Sequence, residues 1–179
     1  MRTTKRLTVS ALTVALGVVF MSLGAVLEVF DLSAVALASL LMVFIYLELG
    51  SPYTWLVWLA TSLATALIFP ASALWLEYLL IFGIYPVIKG YIERLPRALW
   101  ILIKSIYALV TLALAFLGAE LILGIPFIEG DLFGLPTYAI YLIFAAVGVL
   151  AFLLYDLFLN VMVRFYFDRL RPRIKNLLK

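Results

Sequence analysis

Hydrophobic residues in this chain fall into long, nearly uninterrupted runs. A run of about 20 apolar residues is long enough to cross the roughly 30 Å hydrocarbon core of a bilayer as a helix. Six such runs are present, at residues 7–27, 32–49, 53–69, 73–92, 98–123 and 137–163. The pattern therefore predicts an all-α integral membrane protein, a bundle of six transmembrane helices in one domain that spans residues 1–179.

Short polar, glycine and proline segments separate the runs. Gly50-Ser51-Pro52 divides the second run from the third, and Pro70 closes the third. The charged segment 93–97 separates the fourth from the fifth, and the longest connection covers 124–136. Pro86 lies inside the fourth run and removes one helical hydrogen bond, so it predicts a kink there.

Composition supports the membrane assignment and removes several chemistries. Hydrophobic residues make up 67% of the chain and charged residues 13%, whereas soluble domains average about 45–50% and about 25%. Cysteine and histidine are both absent, which excludes disulfides, thiol chemistry and Ser-His catalysis. Neither a Walker A loop nor an H-E-x-x-H pair is present, so we expect no enzyme activity, cofactor, metal or nucleic-acid partner.

The positive charges are distributed along the chain in a way that predicts its orientation. The 13 bases form three groups: Arg2, Lys5 and Arg6; Lys89, Arg94, Arg97 and Lys104; and Arg164, Arg169, Arg171, Arg173, Lys175 and Lys179. With six helices, all three groups fall on one side of the membrane, and the positive-inside rule makes that side cytoplasmic. Both termini are then cytoplasmic, and 164–179 forms a basic cytoplasmic tail. The opposite loops carry Glu28, Asp31, Glu129 and Asp131.

The first helix has an alternative interpretation as a signal peptide. Basic residues precede its apolar run, and Ser22-Leu23-Gly24 resembles a cleavage site. The run is long, however, and its small residues suit helix packing, so we expect the helix to be retained. A mature terminus near Ala25 would contradict this expectation.

Acidic and aromatic residues on the predicted outer side suggest a solute site. Glu77 lies near the outer start of the fourth helix beside Trp75 and Tyr78, and Glu120 lies near the outer end of the fifth. Carboxylates at membrane depth usually face protein or water. These residues would recognise a polar or cationic solute in an outward cavity, with the aromatic rings stacking on it. The alternative is an interfacial aromatic belt with acids that reach the headgroups.

Charged residues near the inner side predict ion pairs within the membrane. Lys104 and Asp156 lie at similar depths on the fifth and sixth helices, and Lys89 and Glu48 lie near the same face. Pairing lowers the cost of placing each charge near hydrocarbon, so Lys104–Asp156 and Lys89–Glu48 are predicted pairs. Alternatively, both lysines extend to lipid headgroups. The tail at 164–179 is attracted to anionic lipid in either case.

The architecture resembles one family of membrane transport subunits. Six apolar helices in under 200 residues, both ends inside, and the segment Ala11-Leu12-Thr13-Val14-Ala15 are similar to the S component of an energy-coupling-factor (ECF) transporter. Small residues four apart lie on one helix face and permit close backbone approach. The resemblance implies that Ala11 and Ala15 dock on a transmembrane scaffold subunit.

The function implied by this resemblance is solute binding for uptake. The chain would bind a small micronutrient, such as a vitamin, in a prokaryotic plasma membrane. It would associate with the scaffold subunit and two cytoplasmic ATPases, which agrees with its own lack of a P-loop. Two alternatives stay open: a non-transporting scaffold similar to MreD, which has a comparable size and architecture, and a small lipid-modifying enzyme that uses Glu or Asp.

Overall fold

The regular structure of the protein is helical throughout the part of the chain that can be described. The structure, a computed structural model, describes residues 3–27, 30–124 and 137–172. In chain order the elements are α1 Thr3–Leu27, α2 Asp31–Leu49, α3 Ser51–Ile68, α4 Leu74–Glu77, a first π-helical turn Tyr78–Phe82, α5 Tyr85–Ile92, α6 Arg97–Leu123, α7 Thr137–Phe165 and a second π-helical turn Tyr166–Leu170. The predicted connection residues Glu28, Glu129 and Asp131 lie outside the described residues.

Within the described ranges, five segments are long and apolar enough to cross a membrane. They are α1, α2, the segment Leu74–Ile92, α6, and the segment Tyr138–Arg169, which includes most of α7. The chain is thus a multi-pass helical membrane protein. The predicted third span, α3, is not among the five, because serine and threonine hydroxyls and an N-terminal Ser-Pro-Tyr lower its apolar character.

The predicted fourth helix, 73–92, is not one continuous helix. It divides into α4, the first π-helical turn and α5. The Gly83 N–H donates to the Tyr78 carbonyl at 2.8 Å, a bond that closes a wider ring than the α-helical one. Pro86 then falls in the first turn of α5, where a missing N–H costs little. The interruption predicted at Pro86 therefore occurs just before it.

Side chains from neighbouring helices bind the carbonyl groups that the π-helical turn leaves free. The Trp58 indole N–H donates to the Leu79 carbonyl at 3.1 Å. The Tyr107 hydroxyl lies 3.1 Å from each of the carbonyl oxygens of Leu80 and Ile81. Because an unpaired carbonyl in hydrocarbon is costly, α3 and α6 together make this wide turn tolerable inside a membrane.

Hydroxyl side chains of α1 and α3 are buried, while many large apolar side chains of the same helices are exposed. Ser10 and Thr13 of α1, and Thr61 and Thr65 of α3, are buried. Gly17 allows close approach, because a Cβ there would lie 3.1 Å from Thr61. This inverted pattern suits a chain surrounded by lipid, in which apolar side chains need no burial.

Two apolar clusters form the interior. The first joins α1, α2, α3 and the start of the fourth span: Met21, Val35, Ala38, Met42, Ile45, Leu49, Val57, Leu74 and Tyr78. The second joins α2, the rest of the fourth span, α6 and α7: Val43, Ile81, Tyr85, Ala108, Ala115, Phe152, Tyr155 and Leu159. The predicted sixth helix, 137–163, extends further than expected, since residues 164–172 of the predicted tail continue it as helix. Residues 173–179 of that tail lie outside the described residues.

Candidate functional site: a buried charge network beside an apolar cavity

Asp156 of α7 is the centre of a buried network of charged and polar side chains. The Lys104 Nζ lies 2.6 Å from the Asp156 Oδ2. The Tyr85 hydroxyl donates to the Asp156 Oδ1 at 2.6 Å, and Lys89 binds the same oxygen. Three donors from α5 and α6 therefore converge on one carboxylate of α7, and both lysines and the aspartate are buried.

Glu93 completes the network on its more exposed side. Its Oε1 lies 2.8 Å from the Lys89 Nζ and 3.6 Å from the Lys104 Nζ. Its side chain is 33% exposed, so it links the buried charges to the outside. Two ammonium groups face two carboxylates, and this balance lowers the cost of holding four charges at the edge of an apolar bundle.

The structure brings together one predicted ion pair and separates the other. Lys104 and Asp156 are in contact. Lys89 contacts Asp156 and Glu93 rather than Glu48, because its face of α5 is turned toward α6 and α7. The predicted Lys89–Glu48 pair is therefore replaced.

Glu48 has partners at the end of α7 instead. Its Oε1 accepts from the Tyr166 hydroxyl at 2.8 Å and from the Arg171 Nε at 3.1 Å.

Sequence reasoning missed Tyr85 and Glu93 as members of the charge network. Their spacing from Lys89 was the available signal, because residues at i−4, i and i+4 share one helix face.

A second feature, an apolar cavity of about 670 Å³, lies between α2, the fourth span, α6 and α7. Its walls are mostly aliphatic and aromatic, with Leu76, Ile81, Leu112, Phe116, Phe144, Phe152 and Phe158 among them. Polar side chains on the wall are few: Ser33, Glu77 and Tyr155. The Tyr155 hydroxyl is already engaged, since it donates to the Ser39 Oγ at 2.6 Å.

Only one of the four predicted solute-binding residues lines this cavity. Glu77 forms part of its wall. Tyr78 is buried in the first apolar cluster, and the Trp75 indole donates to the Pro70 carbonyl at 3.3 Å. Glu120 is exposed on α6 and does not contribute to the wall. The structure thus does not bring the two predicted carboxylates and the two predicted aromatic rings together around one cavity.

The cavity and the charge network share a stretch of α7. Phe152 and Tyr155 line the cavity, and Asp156 follows directly. The Tyr85 ring packs on Phe152 with 4.5 Å between ring centroids, while the hydroxyl of the same tyrosine reaches Asp156. Tyr85 therefore contacts both the charge network and the cavity wall.

Comparison with known proteins adds no family to this picture. No family model matches the chain, and neither the curated proteins nor the solved structures include a match. The fold and the site define a multi-pass helical membrane protein with an apolar cavity between its helices.

Proposed function

We propose that this chain is a membrane-embedded solute-binding subunit, similar to an ECF S component and without an ATPase of its own. The cavity of about 670 Å³ with one carboxylate on its wall carries the proposal. This volume lies within the roughly 300–1,000 Å³ of small-molecule sites, which are mostly apolar with a few placed polar groups. The proposed membrane is a prokaryotic plasma membrane.

The proposal includes six spans with both termini in the cytoplasm, so α3 must cross as well. Its hydroxyls have partners within the helix: Thr54 donates to the Gly50 carbonyl at 3.0 Å, and Thr65 to the Thr61 carbonyl at 2.9 Å. Such bonds satisfy a hydroxyl inside lipid. With 18 residues, α3 reaches about 27 Å at 1.5 Å per residue, close to the thickness of the hydrocarbon core.

The proposed docking face is on α1. Ala11 and Ala15 are both exposed on that helix and four residues apart, so they form a small-residue face that permits close approach by another helix. A transmembrane scaffold subunit with two ATPases is the proposed partner. An MreD-like scaffold function would use such a face without needing the cavity.

We predict that single cysteines will report six crossings. The chain has no cysteine, so Lys5→Cys, Ala71→Cys, Arg94→Cys and Arg169→Cys each introduce one label site at an exposed position. A membrane-impermeant maleimide should label Ala71→Cys in intact cells and the other three variants only after permeabilisation. The reason is that, when α3 crosses the membrane, four crossings separate residue 5 from residue 94 and both lie in the cytoplasm.

A five-span chain gives a different labelling result. If α3 stays on one side, residues 5 and 94 are separated by three crossings and label from opposite sides. Absence of the residue 5 label from the mature chain would instead indicate that α1 had been cleaved. A second membrane protein of the same host, with one cysteine on a known side of the membrane, serves as the permeability control.

We predict that solute binding and partner docking can be lost separately. Ala151 lines the cavity on α7, so Ala151→Trp should occupy the space and remove any small molecule that the purified protein retains in native mass spectrometry. Ala146→Trp, at an exposed position of the same helix that is not part of the wall, is the matched control. We expect at least a tenfold fall in the occupied fraction for Ala151→Trp only.

The docking variant should have the opposite effect. Ala11→Trp with Ala15→Trp should keep the solute but lose co-purification of the scaffold and ATPase subunits, with Ala113→Trp as the exposed control on α6. A wild-type protein that retains no solute would contradict the proposal. Co-purification with cell-wall enzymes in place of the ATPases would favour the scaffold function.

A further inference from the structure

The polar groups on the cavity wall are too few to bind a highly polar solute. In the part of the chain that the structure describes, the wall presents Ser33 and Glu77 as its available polar side chains, since the Tyr155 hydroxyl is used by Ser39. A neutral solute with many hydrogen-bonding groups would leave most of them unpaired against hydrocarbon, which is costly. The wall therefore favours a ligand with an apolar body and a single polar group.

Glu77 determines which polar group that is. Its Oε2 is buried and has no hydrogen-bond partner among the described residues, and Asp31 is near enough to act on it electrostatically. The described residues that connect helices at this end of the bundle, 30–33, 69–73 and 120–124, include no lysine or arginine. A carboxylate with a buried oxygen and no ion pair to a described lysine or arginine is complementary to a cationic donor from a ligand.

The cavity is bordered by side chains that also face the surrounding lipid. Phe144, Val147, Leu154 and Phe158 of α7 line it, yet each is between 40% and 59% exposed. An apolar molecule dissolved in the bilayer can therefore reach the cavity past α7 without crossing water.

We infer that the ligand of this cavity is a small amphipathic amine, with an aromatic or alicyclic body held by the apolar wall and one ammonium group bound by Glu77. This inference rests on the proposed function, because it takes the cavity to be the solute site. The sequence predicted a polar or cationic micronutrient, and the inference restricts that prediction to lipophilic molecules with one positive charge. Phe116 and Phe152 supply ring edges and faces for the body.

Three pyrene probes of nearly the same shape test the inference. They are 1-pyrenemethylamine, 1-pyrenemethanol and 1-pyrenecarboxylate, which carry a cation, no charge and an anion. The full chain is placed in nanodiscs of phosphatidylcholine, and energy transfer from its four tryptophans to pyrene is followed during titration. We expect saturable transfer with the amine at a concentration at least about tenfold below that for the alcohol, and the weakest signal with the carboxylate.

Two matched variants identify the group responsible. Glu77→Gln should remove the preference, so that the amine and the alcohol bind at similar concentrations. Glu120→Gln removes an exposed carboxylate that is not on the wall and should keep the full preference. Retention of alcohol binding in Glu77→Gln also shows that the variant is folded.

The possible failures have different meanings. Equal saturable binding of amine and alcohol to the wild type would overturn the inference and leave the cavity as a solute site. In another outcome, energy transfer rises only in proportion to the partitioning of each probe into lipid, for all three probes and also in Ala151→Trp. The cavity would then hold only lipid acyl chains, and the inference would be overturned. If native mass spectrometry still finds a retained solute in that case, the proposed function stands without this ligand class.

Discussion

Asp156→Asn is expected to lower the free energy of unfolding by about 3–5 kcal/mol, because it leaves two buried lysines with one carboxylate between them. Asparagine keeps the size of the side chain, so the change removes charge with little loss of packing. Lys104 loses its 2.6 Å partner, and its remaining carboxylate contact, with Glu93, is 3.6 Å long. Unfolding in mixed micelles titrated with dodecyl sulfate measures the effect.

A control variant and a second substitution separate charge imbalance from other causes. Glu48→Gln removes a carboxylate that is itself 14% exposed but whose cationic partner, Arg171, is 47% exposed, so we expect a loss of about 1 kcal/mol, the upper end of the range for exposed pairs. Adding Lys104→Met to Asp156→Asn restores a balanced Lys89–Glu93 pair, so part of the lost stability should return. Purely additive losses in the double variant would contradict the network as the source of the effect.

The positions of the helices followed from the sequence because they depend on composition along the chain. A run of apolar residues is stable as a helix in hydrocarbon whatever lies beside it. The predicted fifth run, 98–123, and α6, Arg97–Leu123, nearly coincide for that reason. The ambiguous case was α3, in which serine and threonine hydroxyls that bind their own helix lower the mean hydropathy of an otherwise apolar run.

The interruption of the fourth span shows what composition does not determine. Pro86 marked the region, but a π-helical turn also needs donors for the carbonyls it frees. Those donors are Trp58 and Tyr107, which are 21 or more residues away from the carbonyls they bind. A contact of this kind depends on how three helices pack, and no local pattern records it.

The candidate site was predicted in part for a similar reason. Trp75, Glu77 and Tyr78 are neighbours in sequence, but successive residues of a helix point about 100° apart at 3.6 residues per turn. Glu77 consequently reaches the cavity, while Tyr78 turns into the apolar core. Lys104 and Asp156 could be paired by depth alone, whereas the choice of partner for Lys89 depended on the rotation of α5, which the sequence does not specify.

One tyrosine connects the charge network with the cavity wall. Tyr85 contacts both Asp156 and the cavity residue Phe152. A ligand that shifts Phe152 therefore acts on the same tyrosine that binds the network.

Gly24→Ala is expected to lower the free energy of unfolding by about 2 kcal/mol, the typical cost of forcing an extra methyl into a packed interior. A Cβ at Gly24 would lie 2.7 Å from the Ala34 Cβ and 3.3 Å from the Leu74 Cδ1. Since the Ala34 Cβ is attached directly to the backbone of α2, relief requires α1 and α2 to move apart. The same unfolding titration measures the loss.

Gly118→Ala is the matched control for this effect, because the obstacle there can move. A Cβ at Gly118 would lie 2.8 Å from the Leu76 Cδ2, which is the end of a flexible side chain that a rotamer change can displace. The helix preference for alanine over glycine, about 1 kcal/mol, then offsets the remaining crowding, and the net change should stay within about 1 kcal/mol of zero. Equal losses of stability at the two glycines would mean that α1 and α2 are not held at this close distance. The position of Leu74, and with it the Glu77 end of the cavity, depends on that distance.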